Sequence, residues 1–333
     1  MKLRRKFLTS SLALAAAAIV VLVVVRWSSK PPGAVRLLPE GELLVYANLK
    51  LFHLFDSKTS NSVQLDREYQ SFIDQTDIRF ERDLDEVAMS LRNPGAEAEA
   101  SSIFKGRFDP NRLRNYLQKL ATTNEKYADK MIFSISHDGR PVRVCILADD
   151  QVAVTNMESP EPIHSIIDKF RNAALAAQGP YLAERYYPYV PFRSTAWLVY
   201  RVPSQPGAAQ LPEGLSFDFL QNTTGVVSLR LPFWYTGPLK LKAEVFADSE
   251  AAATDVAESA HNFLSLYRSI AQSMGTRGAD RDVKRAFDSI QVEQKDNRAI
   301  FTATLPQAFL KKLASEAQPG NQSLPLPGNS PNK

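Results

Sequence analysis

Met131–Thr155 reads MIFSISHDGRPVRVCILADDQVAVT, and this stretch decides the fold class. Met131 to Ser136 alternates apolar with small or polar residues, the period of a half-buried strand. His137-Asp138-Gly139-Arg140 follows, and Asp-Gly between two strand patterns is a strong hairpin signal. Val142 to Leu147 is a second strand, and Asp149-Asp150 turns the chain into a third, Val152 to Thr155. Three short strands joined by tight turns predict an antiparallel meander. Cys145, the single cysteine of the chain, lies in the middle strand and reads as a buried structural thiol.

Strands and helices alternate outward from this meander. Upstream, Ser101 to Phe108 alternates as a strand, and Asp109-Pro110 then supplies an N-cap and a proline at the first helical position. Leu113, Tyr116, Leu117, Leu120 and Ala121 follow at the spacing of one helical face. Val87 to Leu91 and Leu43 to Leu49 are earlier strands. Downstream, a helix opens near Pro160, with Ile163, Ile166, Ile167, Phe170, Ala173, Ala174 and Ala177 as its stripe, and Gly179-Pro180 stops it.

The second half repeats this order. Leu44-Val45-Tyr46 returns as Leu198-Val199-Tyr200, and Ser90-Leu91-Arg92 as Ser228-Leu229-Arg230. Ser101–Phe108 with Asp109 returns as Leu239–Ala247 with Asp248, and the Asp138-Gly139 hairpin as Asp296-Asn297. Against this register, Leu-Pro-Glu-Gly at 38–41 and 211–214 precedes its strand once and follows it once. A helix from Ser249 to about Met274 carries Ala253, Val256, Ala260, Phe263, Tyr267 and Ile270 on one stripe, suited to packing across its own sheet. The expectation is an α+β fold with two similar antiparallel-sheet units, 37–180 and 181–317, each with amphipathic helices on one face, meeting near Gly179–Arg193. Residues 318–333 hold four prolines, two glycines and three asparagines; they have little to bury and read as a disordered tail.

Both units stand behind one N-terminal transmembrane helix. Lys2, Arg4, Arg5 and Lys6 precede an uncharged apolar run, Phe7 to Val25, and Arg26 closes it. At about 1.5 Å per residue the run is roughly 28 Å long, the thickness of a bilayer core. The alanines at 15–18 lie inside the run, so no A-x-A cleavage site stands at its end, which favours an uncleaved anchor over a signal peptide. The basic start places residues 1–6 in the cytoplasm and the main domain on the far side, periplasmic or extracellular. Residues 26–36 read as a spacer.

Charge excludes one class of partner. The chain has 40 Lys+Arg and 36 Asp+Glu, a net of +4. Five of the basic residues lie in 1–27 with no acid, which leaves 35 against 36 and a net of −1 for the remainder. A domain so balanced offers no footprint for nucleic acid. Metal and catalytic signatures are absent too. His53, His137, His164 and His261 show no paired spacing. Ser102-Ile103-Phe104-Lys105 matches S-x-x-K, but on a strand the two reactive side chains point to opposite faces. No phosphate-binding glycine motif occurs, and no cofactor is expected.

Aromatic residues in turn-like stretches are the remaining candidates. Tyr186, Tyr187, Tyr189 and Phe192 crowd the boundary between the units, and Phe233, Trp234 and Tyr235 form a second group. They read as glue between the halves or as anchors for a partner. Leu37-Leu38-Pro39-Glu40-Gly41 through Leu44-Val45-Tyr46, with Phe104-Lys105-Gly106-Arg107-Phe108-Asp109-Pro110-Asn111-Arg112-Leu113, resembles the opening of uncharacterised bacterial envelope proteins over about residues 37–175. That resemblance implies an anchored α+β domain and brings no activity. The expected function is that of a membrane-tethered binding or scaffold protein outside the cytoplasm. Its partners are the bilayer, through 7–25, and another envelope protein. The alternatives are a carrier or sensor of an apolar ligand held between sheet and helices, and a hydrolase with an unrecognised site.

Overall fold

The computed structural model describes residues 30–50, 67–94, 98–177, 179–203, 220–231, 238–273 and 281–306. The anchor at 7–25, the tail at 318–333, His53, and Phe233, Trp234 and Tyr235 lie outside them. Among the described residues no helix is long and apolar enough to cross a membrane.

The architecture is α+β, built on one large antiparallel sheet. In chain order the elements are α1 (Gly33–Leu37), β1 (Leu43–Asn48), α2 (Arg67–Thr76), α3 (Phe80–Asp83), β2 (Leu84–Arg92), β3 (Glu99–Gly106), α4 (Pro110–Leu120) and β4 (Thr123–Tyr127). There follow β5 (Lys130–His137), β6 (Arg140–Ala148), β7 (Gln151–Thr155), α5 (Glu161–Arg171), α6 (Ala173–Ala176), α7 (Tyr181–Tyr186) and a 3-10 turn (Tyr187–Tyr189). The chain closes with β8 (Ala196–Arg201), β9 (Thr224–Arg230), β10 (Leu239–Phe246), α8 (Glu250–Ser273), α9 (Arg281–Asp288), β11 (Gln291–Lys295) and β12 (Arg298–Leu305). The meander stands where its pattern put it, as β5, β6 and β7. Asp138 and Gly139 both take positive φ, 51° and 78°, the backbone of a type I′ turn.

The two halves do not form separate sheets. Twelve strands run in the order β11-β12-β10-β9-β8-β1-β2-β3-β7-β6-β5-β4. β1 and β8 pair at the seam, with Leu44 opposite Val199, Val45 opposite Leu198 and Tyr46 opposite Trp197. A two-fold axis through Val45–Leu198 therefore exchanges Leu44 with Trp197 and Tyr46 with Val199. It carries Ser90, opposite Leu44, onto Ser228, opposite Trp197. The Ser-Leu-Arg match thus holds in register. The Leu-Val-Tyr match does not, because it is one residue out of phase and one residue reverses the faces. The hairpin match moves as well. β12 lies beside β10 as β7 lies beside β3, so β11–β12 corresponds to β6–β7 and not to the Asp138-Gly139 hairpin.

Helices cover both faces of the sheet, not one. On the front face α1, α5 and α7 bring Val35, Leu38, Ile163, Ile166, Ile167 and Leu182 against Leu44, Tyr46, Ile103, Cys145, Trp197 and Val199. On the back face α4 covers β5–β7 through Leu113 and Leu117 against Phe133, Val144 and Val152, and Phe72 of α2 packs at the side of this cluster. α8 covers the other end of the back face, with Val256 and Ala257 against Ala299, and this is the packing across its own sheet that its stripe suggests. The 26–36 spacer is corrected in the same way: Ala34 and Val35 are 1% and 0% exposed, so the chain enters the core within a few residues of Pro32. The helix after Pro160 breaks at Asn172, whose Oδ1 accepts from Ala174 N–H at 3.0 Å and starts α6.

Because one sheet carries both cores, its seam controls the whole molecule. Leu44 is fully buried, and Leu44→Ala should cost about 2–5 kcal/mol. Urea unfolding followed by circular dichroism should show one transition shifted as a unit; two separable transitions would contradict the shared sheet.

Candidate functional site

Among the described residues concave regions lie on both faces of the sheet, and the one with a wholly apolar lining is on the back. α2 follows the spacing Tyr69, Phe72, Ile73, Thr76, and it packs against α4. Asp77 turns the chain at φ 58°; Thr76 Oγ1 accepts from Ile78 N–H at 3.2 Å and turns Ile78 inward. The single turn α3 then leads straight into β2. The result is a cleft of about 370 Å³ between α2, α3, α4 and the sheet. Phe72, Ile78, Phe80, Phe104, Phe108 and Val154 are among its walls, and every lining residue is apolar. This is the volume range of small-ligand pockets.

The cleft mouth is braced by stacked rings. Phe80 lies 5.1 Å from Tyr69 and 5.2 Å from Phe72, and Tyr116 meets Phe72 edge-on at 5.4 Å. Phe80 is nevertheless 46% exposed, so one wall of the cleft is itself in contact with solvent. The Tyr69 hydroxyl donates to Glu81 Oε2 at 2.7 Å and accepts from Phe80 N–H at 2.9 Å, which pins α3 to α2. Burial and the bond to Glu81 push the Tyr69 phenol up to about 12, so it stays neutral.

A polar cleft adjoins the apolar one, sharing Ile78 and Phe108 with it. Its centre is Asp83, which is 5% exposed. Arg82 donates to both its oxygens at 2.8 Å, Arg79 N–H donates to Oδ2 at 2.9 Å, and Arg107 stands 3.9 Å away. Burial resists the charge of Asp83, but these partners outweigh it and hold the carboxyl below its ordinary value. Gly106 must lack a side chain here, because a Cβ would strike the Asp83 carbonyl.

The sequence-derived aromatic candidates take other places. Tyr186 and Tyr189 meet Phe246 of β10 edge-on at 5.0 and 4.6 Å, and Tyr187 lies 5.6 Å from Trp197 of β8. Arg298 of β12 stacks over Tyr189 at 5.1 Å. These three tyrosines bind the end of α7 and the turn that follows it to the second half of the sheet. Phe192 stands apart, 67% exposed, with Arg193 over its ring. Leu182 and Ala183 are buried, so α7 contributes to the front-face core.

Other reactive groups serve structure. Burial pushes the Cys145 thiol up to about 12, as expected of an inert thiol. Ser102 and Lys105 lie on β3, on opposite faces as the strand reading requires. His164 Nε2 is 2.8 Å from Glu125 Oε1, and its ring stacks on Tyr127 at 3.9 Å, which ties the edge strand β4 to α5. Among the described residues no group of three or more His, Cys, Asp or Glu could hold a metal ion.

Sequence reasoning missed the apolar cleft. Its signal was present in α2, where Tyr69, Phe72 and Ile73 follow the helical period. The meeting of that helix with Phe104, Phe108 and Val154 depends on tertiary packing.

No family model matches the chain, and no curated protein matches it. Among solved structures it is similar to TP0453 in crystal form III, with a TM-score of 0.45 and 10% identity over 85% of this chain and 98% of that one. Crystal form IV of TP0453 gives 0.43 and 10% over 85% and 95%. Similarity at this level assigns no family and no activity.

Asp83 gives the site a pH signature. Its folded value is depressed, so its stabilisation is complete above the unfolded value near 3.9 and is lost as pH falls through the folded value. Asp83→Asn should cost about 1–3 kcal/mol at pH 7 and flatten the acid limb. Thermal melts between pH 2 and 7 check this; an acid limb unchanged in the variant would contradict it.

Proposed function

We propose that this chain is a membrane-tethered domain that holds one aliphatic chain, such as the acyl tail of a lipid, in the back-face cleft. The observation that carries the reading is the lining: about 370 Å³ walled by apolar side chains alone. Such a surface has no hydrogen bond to offer a polar ligand, and leaving it in water costs about 25 cal/mol for each Å² of apolar area. The adjoining polar cleft around Asp83, Arg82 and Arg107 supplies charged groups where the polar end of such a ligand would emerge. The uncharged run at 7–25 supports the tether and sets the domain beside a source of lipid. The exposed ring of Phe192 supports a second reading, contact with another envelope protein.

Full-length protein in nanodiscs, titrated with a fluorescent fatty acid, should show saturable binding that palmitate competes away. Val154→Trp should abolish that binding while the melting temperature stays within a few degrees, because the indole fills the cleft. Absence of saturable binding, or binding untouched by V154W, contradicts the proposal. The tether is checked separately: the cellular protein should retain residues 2–25 by mass spectrometry and stay with membranes through an alkaline carbonate wash.

A further inference from the structure

On the front face, Lys240 of β10 lies directly opposite Arg230 of β9. Like charges at that spacing repel and destabilise a strand pair. Lys242, two residues along the same face, adds a third cation. Lys242 Nζ is 2.5 Å from Glu244 Oε1, but Glu244 is 2% exposed and also holds Arg298 at 2.9 Å, so this carboxylate is already shared between two cations. No carboxylate among the described residues pairs with Arg230 or Lys240.

The two-fold relation supplies an internal control. Ser90 corresponds to Ser228, so Arg92 corresponds to Arg230. Ser101, opposite Ser90, corresponds to Lys242, opposite Ser228, and Glu99 therefore corresponds to Lys240. The first half places Arg92 opposite Glu99, a complementary pair. The second half places Arg230 opposite Lys240. The rows beside them differ in the same sense. Ser90, Ser101 and Thr155 are fully buried in the first half, where α1 lies over β2 and β3. Of their counterparts, Ser228 is also buried, but Lys242 and Thr302 border a cleft of about 300 Å³, together with Arg230, Lys240 and Thr304.

We propose that this cleft binds a phosphate-type oxyanion, as a free phosphate or as the phosphate of a lipid headgroup. The Arg230 fork and the Lys240 ammonium, with Lys242 held beside them by Glu244 and the Thr302 and Thr304 hydroxyls on the cleft wall, form a donor set suited to multiply charged oxygens. A bound anion removes the repulsion between Arg230 and Lys240, which makes the otherwise unfavourable pair intelligible. The site lies on the opposite face from the apolar cleft and does not depend on it.

The test uses full-length protein in phosphatidylcholine nanodiscs, titrated with inorganic phosphate and pyrophosphate by calorimetry, and again in nanodiscs containing phosphatidic acid. Lys240→Glu recreates the pairing of the first half. It should raise the melting temperature without anion and weaken phosphate binding at least about tenfold. Arg230→Gln should weaken binding similarly and serves if K240E does not fold. V154W should leave phosphate binding unchanged, so this site and the apolar cleft fail separately. Tighter association with phosphatidic acid discs, lost in K240E, assigns the lipid headgroup; phosphate binding without that preference assigns a soluble source. No phosphate or pyrophosphate binding at millimolar concentration, or binding indifferent to both substitutions, overturns the proposal.

Discussion

The pairing of β1 with β8 is the constraint on which the molecule rests. Leu44, Tyr46, Trp197 and Val199 project together from this seam onto the front face, where α1, α5 and α7 bury them. Tyr46 and Trp197 stack at 5.7 Å across the seam. Without this pairing each half would present a bare edge of unpaired N–H and C=O groups at its centre. With it, the open edges among the described residues are β4 and β11, both strongly polar: Thr123-Asn124-Glu125-Lys126-Tyr127 and Gln291-Val292-Glu293-Gln294-Lys295. Charged, solvated edges of this kind discourage further strand addition.

The seam also assigns roles to the two faces. An axis perpendicular to the sheet keeps each face on its own side, so α4 after β3 and α8 after β10 both fall on the back. The halves then diverge in what lies beside those helices. In the first, α2 and α3 stand away from the sheet and leave the apolar cleft. In the second, the front face beyond the 187–189 turn carries, among the described residues, the cleft lined by Arg230, Lys240, Lys242, Thr302 and Thr304. The position of Ile103, fully buried in the first half, is taken by Glu244, held by Lys242 and Arg298. One architecture thus carries an apolar concavity on one side and a cationic one on the other.

Much of this was legible in the residues. The alternation of Met131–Ser136 and the Asp138-Gly139 turn located β5 and β6, and Asp109-Pro110 located α4, whose cap accepts from Asn111 and Arg112 N–H groups at 2.9 and 3.1 Å. β4 was not legible, because its side chains are polar and its turn uses Ala128 and Asp129 at φ 47° and 66°, positions where Asn-Gly would have signalled the hairpin. α1 was hidden because Pro31-Pro32 reads as a linker and Ala34, Val35, Leu37 and Leu38 are too few to display a period. The Leu-Val-Tyr words are one residue out of phase because strand pairing, which sets the faces, does not follow identity of letters. Tyr186, Tyr187 and Tyr189 stand out in the sequence as an aromatic group, but their packing against Phe246 and Trp197 is visible only in the folded sheet. The apolar cleft was out of reach, because Phe72, Ile78, Phe104 and Val154 converge only once the sheet has formed.

Hydrogen exchange on the full-length protein, with and without a long-chain fatty acid, tests the central claim that the seam holds up an apolar receptacle on the back face. Amides of Leu43–Asn48 and Ala196–Arg201 should be the slowest in the molecule. Ligand should slow exchange in Arg67–Asp83 and Pro110–Leu120 and leave Glu250–Ser273 unchanged. Fast exchange at the seam, or a ligand effect spread evenly or confined to Glu250–Ser273, would contradict the account.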